Sequence, residues 1–383
     1  MDKPTVQDIF HRFYPAYLDQ YSPSPVQANV AHNIMNCKTG AYGANVCVCE
    51  DCGFVQIHYN SCRNRCCPMC QAVPKEMWMD ARREDVLDAP YFHLVFTVPD
   101  ILNPVIYSNQ KLLYDALYHA ASSTISELTA DPKHLGAKVG YICILHTWGS
   151  EMNFHPHIHT ILLGGGLASN NQWKDNGENF FLPIRVISKM FRGKYLEELK
   201  RLWEEDKLVF HGTAEKFRNH YTFKELLDSC YGMDWIPHCK KTFNGAQTVM
   251  KYLGKYTHRI AVSNHRIVRM DDDTVTFLVK DYRNEGQWKE LTISGVEFVR
   301  RFLMHVPPRR FVRIRHYGLL CFRTKNQKLT LCRKLLGCKK YLSKLRDMEM
   351  PEILEHLYGI KVCVCKACGG HLGKPQMRMP LRC

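Results

Sequence analysis

The 383-residue chain has no apolar run approaching the length of a bilayer-spanning helix. Its first residues, MDKPTVQDIFHRFYPAYL, have neither the basic start nor the unbroken apolar stretch of a secretory leader. Internal repeats and low-complexity tracts are absent, and acidic residues are in deficit, with 37 Asp and Glu against 52 Lys and Arg, a formal net charge of +15. These shortages exclude a protein that spans a membrane by helices and a repeat array, and a 45% hydrophobic content argues against a chain that is disordered as a whole. The expectation is a cytoplasmic protein large enough for more than one core, whose partners are polyanions rather than membranes.

Cysteine, by contrast, is abundant, with 18 in the chain. They crowd the two ends, leaving only Cys143, Cys230 and Cys239 between Cys70 and Cys321. In a large chain without a leader such clusters hold metal more often than disulfides. Cys49 with Cys52, and Cys67 with Cys70, form two CxxC pairs, and four thiolates suffice for one structural Zn²⁺. His32, Cys37, Cys62 and Cys66 are left over and could bind a second Zn²⁺, although Cys62 and Cys66 are equally readable as buried thiols. Arg63 and Arg65, between the cysteines, suit a zinc module laid against phosphates. The tail holds one clear CxxC, Cys365 and Cys368, with Cys363, His371 and Cys383 nearby, an incomplete set that reads as a flexible or partly metallated end.

Apolar spacing predicts helices near each terminus, a strand at YFHLVFTVP, a helix from about 102 to 129, and strands at VGYICILHTW and HPHIHTILLGGG. Helices follow at 187–207 and 215–230, a short strand at MDWIPHCKK, and a helix over NGAQTVMKYLGKYTHRI capped by Asn244. HRIVRMDDDTVTFLVKD reads as a hairpin turning at Asp271 to Asp273, GQWKELTI as a strand, SGVEFVRRFLMHV as a helix, and the last sixty or so residues as mostly helical.

Two further clusters carry chemistry. In HPHIH, alternate residues of a strand share a face, so His157 and His159 present two imidazoles side by side, half of a divalent-metal site. His146, His155, Gln247 and His258 are all within reach in sequence as a further ligand, and none is singled out by spacing. In KYLGKYTHR, Tyr252 and Tyr256 lie four apart on one helical face with Lys251, Lys255 and Arg259 close by, cations suited to a tyrosine hydroxyl that meets a phosphate. Trp148, Tyr252 and Tyr282 are candidate stacking platforms for bases.

The histidine strand followed by a tyrosine pair resembles the HUH nucleases, and specifically the two-tyrosine rolling-circle transposases of bacterial insertion sequences. CVCEDCGFVQIHYNSCRNRCCPMCQ is similar to their N-terminal zinc-binding domain, FHLVFTVP to their first catalytic strand, LHTWGSEMNFHPHIHTILLGGG to the metal-binding segment and MKYLGKYTHRIAVSNHRI to the nucleophile helix. FVRRFLMHVPPRRFVRIRHYGLL is similar to the segment after it. Cys66 departs from the family by standing where its NRHCP string has histidine.

The resemblance implies an α+β fold with a central antiparallel sheet and helices on one face. It divides the chain into a zinc-binding region at 1–75, a nuclease domain at 76–265, a β-rich extension at 266–320 and a helical C-terminal region at 321–383. It implies Mg²⁺ or Mn²⁺ at His157 and His159, and Tyr252 or Tyr256 attacking phosphorus with Lys255 and Arg259 in support. The product would be a 5′-phosphotyrosine on single-stranded DNA, made at insertion-sequence ends and at the target site in the bacterial nucleoid. Replication initiators and relaxases share this chemistry, and a non-enzymatic zinc-finger DNA-binding protein shares the cysteines. A hydrolase of small phosphoesters fits less well, because two-metal sites want several carboxylates and the HPHIH segment has only Glu151 near it. Spacing gives no oligomeric state.

Overall fold

The computed structural model describes residues 3–175, 182–235, 237–243, 254, 260–281 and 286–378, with the backbone alone at 238, 240–243 and 378. Two helices open the chain, α1 (Val6–Leu18) and α2 (Pro25–Met35). Each starts at a capping box, Thr5 with Asp8 and Ser24 with Gln27, which satisfies backbone donors that the first turn leaves unpaired. β1 (Ala44–Val48) and β2 (Val55–Tyr59) form an antiparallel hairpin, followed by α3 (Ala72–Arg83).

The middle of the chain runs through β3 (Tyr91–Thr97), α4 (Asn103–Ser108), α5 (Gln110–Ala130), β4 (Lys138–Trp148), β5 (Phe154–Leu167), β6 (Trp173–Asp175), α6 (Ile184–Glu204), α7 (His220–Gly232) and β7 (His238–Phe243). The single helix expected over 102–129 is two, because Asn109 leaves helical geometry and spends its side-chain amide on the carbonyls of Val105 and Val209. After this come β8 (Ile267–Met270), β9 (Thr274–Asp281), β10 (Gln287–Ser294), α8 (Gly295–Met304), β11 (Ile314–Gly318), α9 (Lys325–Leu336), α10 (Met350–Tyr358) and β12 (Gln376–Arg378).

The main sheet is antiparallel in the order β11-β4-β5-β3-β7, with β6 paired to β5. β11 lies in a stretch to which the sequence reading assigns no element, and it joins by pairing with β4. Period-two alternation sorts the strand residues into two faces. Phe92, Leu94, Phe96, Tyr141, Cys143, Leu145, Ile158 and Leu162 point into the largest core, with α4 to α7 laid over them. The helical layer expected on one face is therefore present. The opposite face is apolar only at one end, where Ile142, Ile144, Ile161 and Leu163 meet Trp78 and Met79 of α3 and Leu329 and Cys332 of α9.

Three glycines end β5. A Cβ on Gly166 would fall on the backbone carbonyl of Lys138, and one on Gly165 would fall on the Trp173 ring, so neighbouring backbone and ring approach closely at the GGG run. A second core joins α1, α2 and α8 to the sheet β10-β9-β8, with Phe10 and Phe302 edge to face at 5.3 Å and Phe277 and Phe298 at 5.6 Å. Among the described residues, no helix is long and apolar enough to cross a membrane.

Candidate functional site

The other end of that second sheet face carries histidines. His157 and His159 of β5, His146 of β4 and His93 of β3 are all buried. Ligand atoms of His146, His157 and His159 lie within 4.8 Å of one another, and the Nε2 atoms of His157 and His159 are 3.0 Å apart. His146 is thus the third member of the cluster, whereas His155 stands outside it with Nδ1 3.1 Å from Asp100 Oδ1.

A register shift explains how His146 arrives. Trp148 pairs with Phe154, so an unbroken ladder would set His146 against Pro156 and turn its ring to the helical side. The ladder slips by one residue between these positions, and His146 pairs with His157 instead. The ring of Trp148 stacks on His146 at 4.5 Å, which gives this tryptophan a packing role at the cluster. The Arg313 guanidinium lies 5.3 Å from the Trp148 ring centre.

The surrounding atoms turn Nε2 of both His157 and His159 toward the cluster. Nδ1 of His157 is 2.7 Å from the carbonyl of His155 and donates to it, which keeps the lone pair on Nε2. Burial pushes the His157 pKa down to about 4, so the ring is neutral, as a ligand must be. Nδ1 of His159 is engaged by Nε2 of His93 at 2.9 Å, which leaves its own Nε2 facing the cluster. His93 was not singled out by sequence; its only signal is a lone histidine of the right parity in the apolar strand FHLVFTVP. Three imidazoles at this separation fit a divalent transition ion, and among the described residues no carboxylate belongs to the cluster.

Tyr252, Lys255, Tyr256 and Arg259 lie outside the described residues, as do Asn244, Gln247, His258 and Tyr282. Gly254, between the tyrosines, is described and buried, and a Cβ there would fall on the sulfur of Met79 in α3.

The cysteines group differently from the sequence expectation. Cys49 and Cys52 do not meet Cys67 and Cys70. Cys67 and Cys70 lie with Cys37 and Cys62, and Cys49 and Cys52 lie with Cys365 and Cys368. The hairpin is the reason: Cys49 follows the far end of β1, whereas Cys37 and Cys62 flank its base, where Lys38 N–H donates to Asn60 O at 3.1 Å. Five residues of strand separate the two ends by roughly 16 Å. A tetrahedral ZnS₄ unit with bonds of about 2.3 Å has sulfurs about 3.8 Å apart. Cys62 and Cys70 Sγ are 3.8 Å apart, so the group of Cys37, Cys62, Cys67 and Cys70 fits Zn²⁺.

His32 and Cys66, expected in a second zinc set, are elsewhere. His32 is exposed with Nδ1 3.2 Å from Asn36 Nδ2, and the Cys66 thiol is buried, its pKa pushed up to about 11. Arg63 is exposed, while Arg65 donates to the carbonyls of Phe311 and Pro308 and so ties the zinc region to the 308–311 turn.

Known proteins resemble this chain over most of its length. Residues 140–328 match the family profile described as "Putative transposase", and residues 9–98 match that of a "Transposase zinc-binding domain". "Putative transposase y4qJ" of Sinorhizobium fredii (strain NBRC 101917 / NGR234) is 40% identical over 369 residues, which is 95% of this chain and 93% of that protein. "Transposase for insertion sequence element IS801" of Pseudomonas savastanoi pv. phaseolicola is 30% identical over 309 residues, 79% of this chain and 72% of that protein. Among solved structures, the conjugative relaxase TrwC in complex with oriT DNA aligns with 69% of this chain and 92% of its own at 13% identity and a TM-score of 0.27. The two sequence relatives, matched over most of their length, decide the assignment: this chain belongs to the transposase family that includes the transposase of insertion sequence element IS801.

Proposed function

We propose that the chain cleaves and rejoins single-stranded DNA through a 5′-phosphotyrosine at Tyr252 or Tyr256, moving an insertion sequence by a rolling-circle route. The observation that carries this reading is the buried convergence of His146, His157 and His159, three imidazoles with no carboxylate in their cluster among the described residues. The relatives' names supply the biological setting, an insertion-sequence element that moves. Gly254 supports bringing the tyrosine segment to this side of the sheet, because Met79, against which it packs, belongs to the apolar cluster of the histidine face.

A bound Mg²⁺ or Mn²⁺ would draw charge from the non-bridging oxygens of the scissile phosphate. His146, His157 and His159 would hold it, and the all-nitrogen donor set suits Mn²⁺ on softness. The tyrosine Oη attacks phosphorus in line, so that the P–Oη bond forms as the P–O3′ bond breaks. The phenol proton is lost and the departing 3′ oxygen takes one up. A phenol ionises near pH 10, and the positive charges of Lys255 and Arg259, next to the tyrosines in sequence, favour its phenolate. The phosphodiester energy stays in the adduct, so a 3′-hydroxyl later reverses the step without ATP. A second tyrosine allows a second cleavage while the first adduct persists. Arg63, exposed and next in sequence to the zinc ligand Cys62, would meet DNA phosphates.

The test incubates the purified chain and Mn²⁺ with a random pool of labelled single-stranded DNA and looks for an adduct that survives SDS. The adduct is expected with the native chain and absent with His157→Ala and with the double variant Tyr252→Phe, Tyr256→Phe. DNA binding by the native chain with no adduct would overturn the reading in favour of a non-enzymatic DNA-binding protein.

A further inference from the structure

We infer that the C-terminal tail completes a second structural zinc site, in which Cys365 and Cys368 join Cys49 and Cys52 around one Zn²⁺ and fasten the two ends of the chain together. Neither family match reaches these tail residues, since one covers 9–98 and the other 140–328. Cys49 Sγ lies 3.5 Å from Cys368 Sγ and Cys52 Sγ lies 3.7 Å from Cys365 Sγ, with all four sulfurs within 4.8 Å. Those separations are close to the edge of a ZnS₄ tetrahedron, about 3.8 Å, and far above the about 2 Å of a disulfide.

The two contributing turns are built alike. In CEDCGF, Cys49 N–H donates to Phe54 O at 2.9 Å and Gly53 N–H to Cys49 O at 3.1 Å. In CKACGG, Cys365 N–H donates to Gly370 O at 2.8 Å and Gly369 N–H to Cys365 O at 3.0 Å. The offsets are identical, and both turns place a glycine directly after the second cysteine at positive φ, +70° for Gly53 and +79° for Gly369. Each turn is thus a zinc knuckle, and two knuckles facing each other close a tetrahedral shell. In the tail knuckle, Ala367 and Gly370 N–H also donate to the sulfurs of Cys365 and Cys368, both at 3.4 Å, which favours thiolates.

The backbone around the four sulfurs continues the join. Glu50 N–H donates to His371 O at 3.0 Å, Gly373 N–H donates to Val48 O at 2.9 Å, and β12 extends the hairpin by pairing Val46 with Gln376 and Asn45 with Met377. Cys47 and Leu372 pack beneath Cys49 and Cys365 in a small buried cluster. A three-residue strand and so small a core cannot order a tail alone, so the ion supplies the fastening. Cys363 and His371, candidates for a tail site in the sequence, lie outside the four-sulfur group.

The test counts zinc in the full-length chain purified under reducing conditions, by plasma mass spectrometry, and follows the bands of tetrathiolate Co²⁺ after substitution. Two ions per native chain are expected, one in Cys365→Ser with Cys368→Ser, and two in the control Cys363→Ser. A second variant carries a protease site after Gly359. With zinc loaded, the cut tail should remain on the body through gel filtration and leave when a chelator strips the metal. Unchanged zinc in the double serine variant, or a cut tail that leaves the zinc-loaded body, would overturn the proposal, as would disulfides joining Cys49, Cys52, Cys365 and Cys368 in the reduced preparation. None of these readouts depends on DNA cleavage, so their failure is separate from failure of the histidine chemistry.

Discussion

The Nε2 of His93 on β3 lies 2.9 Å from the Nδ1 of His159 on β5. The two rings are nearly parallel, at 16° with centres 5.1 Å apart. This pair fixes which nitrogen of His159 faces His146 and His157. Replacing His93 by Phe keeps the packing and removes the partner, and should weaken Mn²⁺ binding about 10- to 100-fold. Calorimetric titration checks this, and unchanged affinity would deny His93 its positioning role. His93→Gln, which can still hydrogen-bond, should recover part of the loss.

The cluster makes a distinction that spacing in HPHIH could not. His146→Ala removes a ligand and should reduce Mn²⁺ affinity by at least about tenfold. His155→Ala removes a side chain that reaches Asp100 and leaves the His155 carbonyl in place for His157, so affinity should hold within a few-fold. Equal losses in the two variants would count against the cluster as the cation site.

What the sequence made legible, and what it hid, divides along physical lines. The strand with His157 and His159 is readable because alternation is a local property of the chain, and so is the GGG run that ends it. The partnership of His146 is not readable, because it depends on a one-residue slip between β4 and β5 that no composition signal marks. The two CxxC pairs were legible as zinc knuckles, but their partners were not. A hairpin five residues deep separates Cys49 from Cys62, and the completing cysteines arrive from more than three hundred residues away. The α4/α5 break was hidden for a similar reason, since the Asn109 amide is drawn to Val209, a hundred residues on.

Acid should destabilise the metal-free chain in a defined window. His305 is buried with Nδ1 3.1 Å from Thr147 Oγ1 and Nε2 2.9 Å from the Met152 carbonyl. Burial first, then the nearby charges of Arg300 and Arg313, hold its pKa down to about 4 from 6.5. Between those values the unfolded chain binds a proton that the folded chain does not. The stability is therefore fully present above pH about 6.5 and is lost as pH falls toward 4, by about 3 kcal/mol from this residue. Urea unfolding against pH should show the decline, and His305→Gln should flatten it. A slope unchanged by the substitution would contradict the assignment.

Gly166 should be intolerant of any side chain. A Cβ there meets the Lys138 carbonyl on the neighbouring strand, so Gly166→Ala should cost about 1–3 kcal/mol in urea unfolding. Gly149, with open space around its Cβ position, should accept alanine within about 0.5 kcal/mol. Similar losses at both positions would contradict the close approach of β4 and β5.

The most direct measurement of the central claim is to digest the SDS-stable protein–DNA adduct and map the attachment by mass spectrometry. The account predicts a nucleotide joined through its 5′-phosphate to Tyr252 or Tyr256, formed only with divalent cation and abolished by His146→Ala and His157→Ala. A nucleotide on any other residue, a 3′-phosphate linkage, or an adduct that forms in both histidine variants would contradict it.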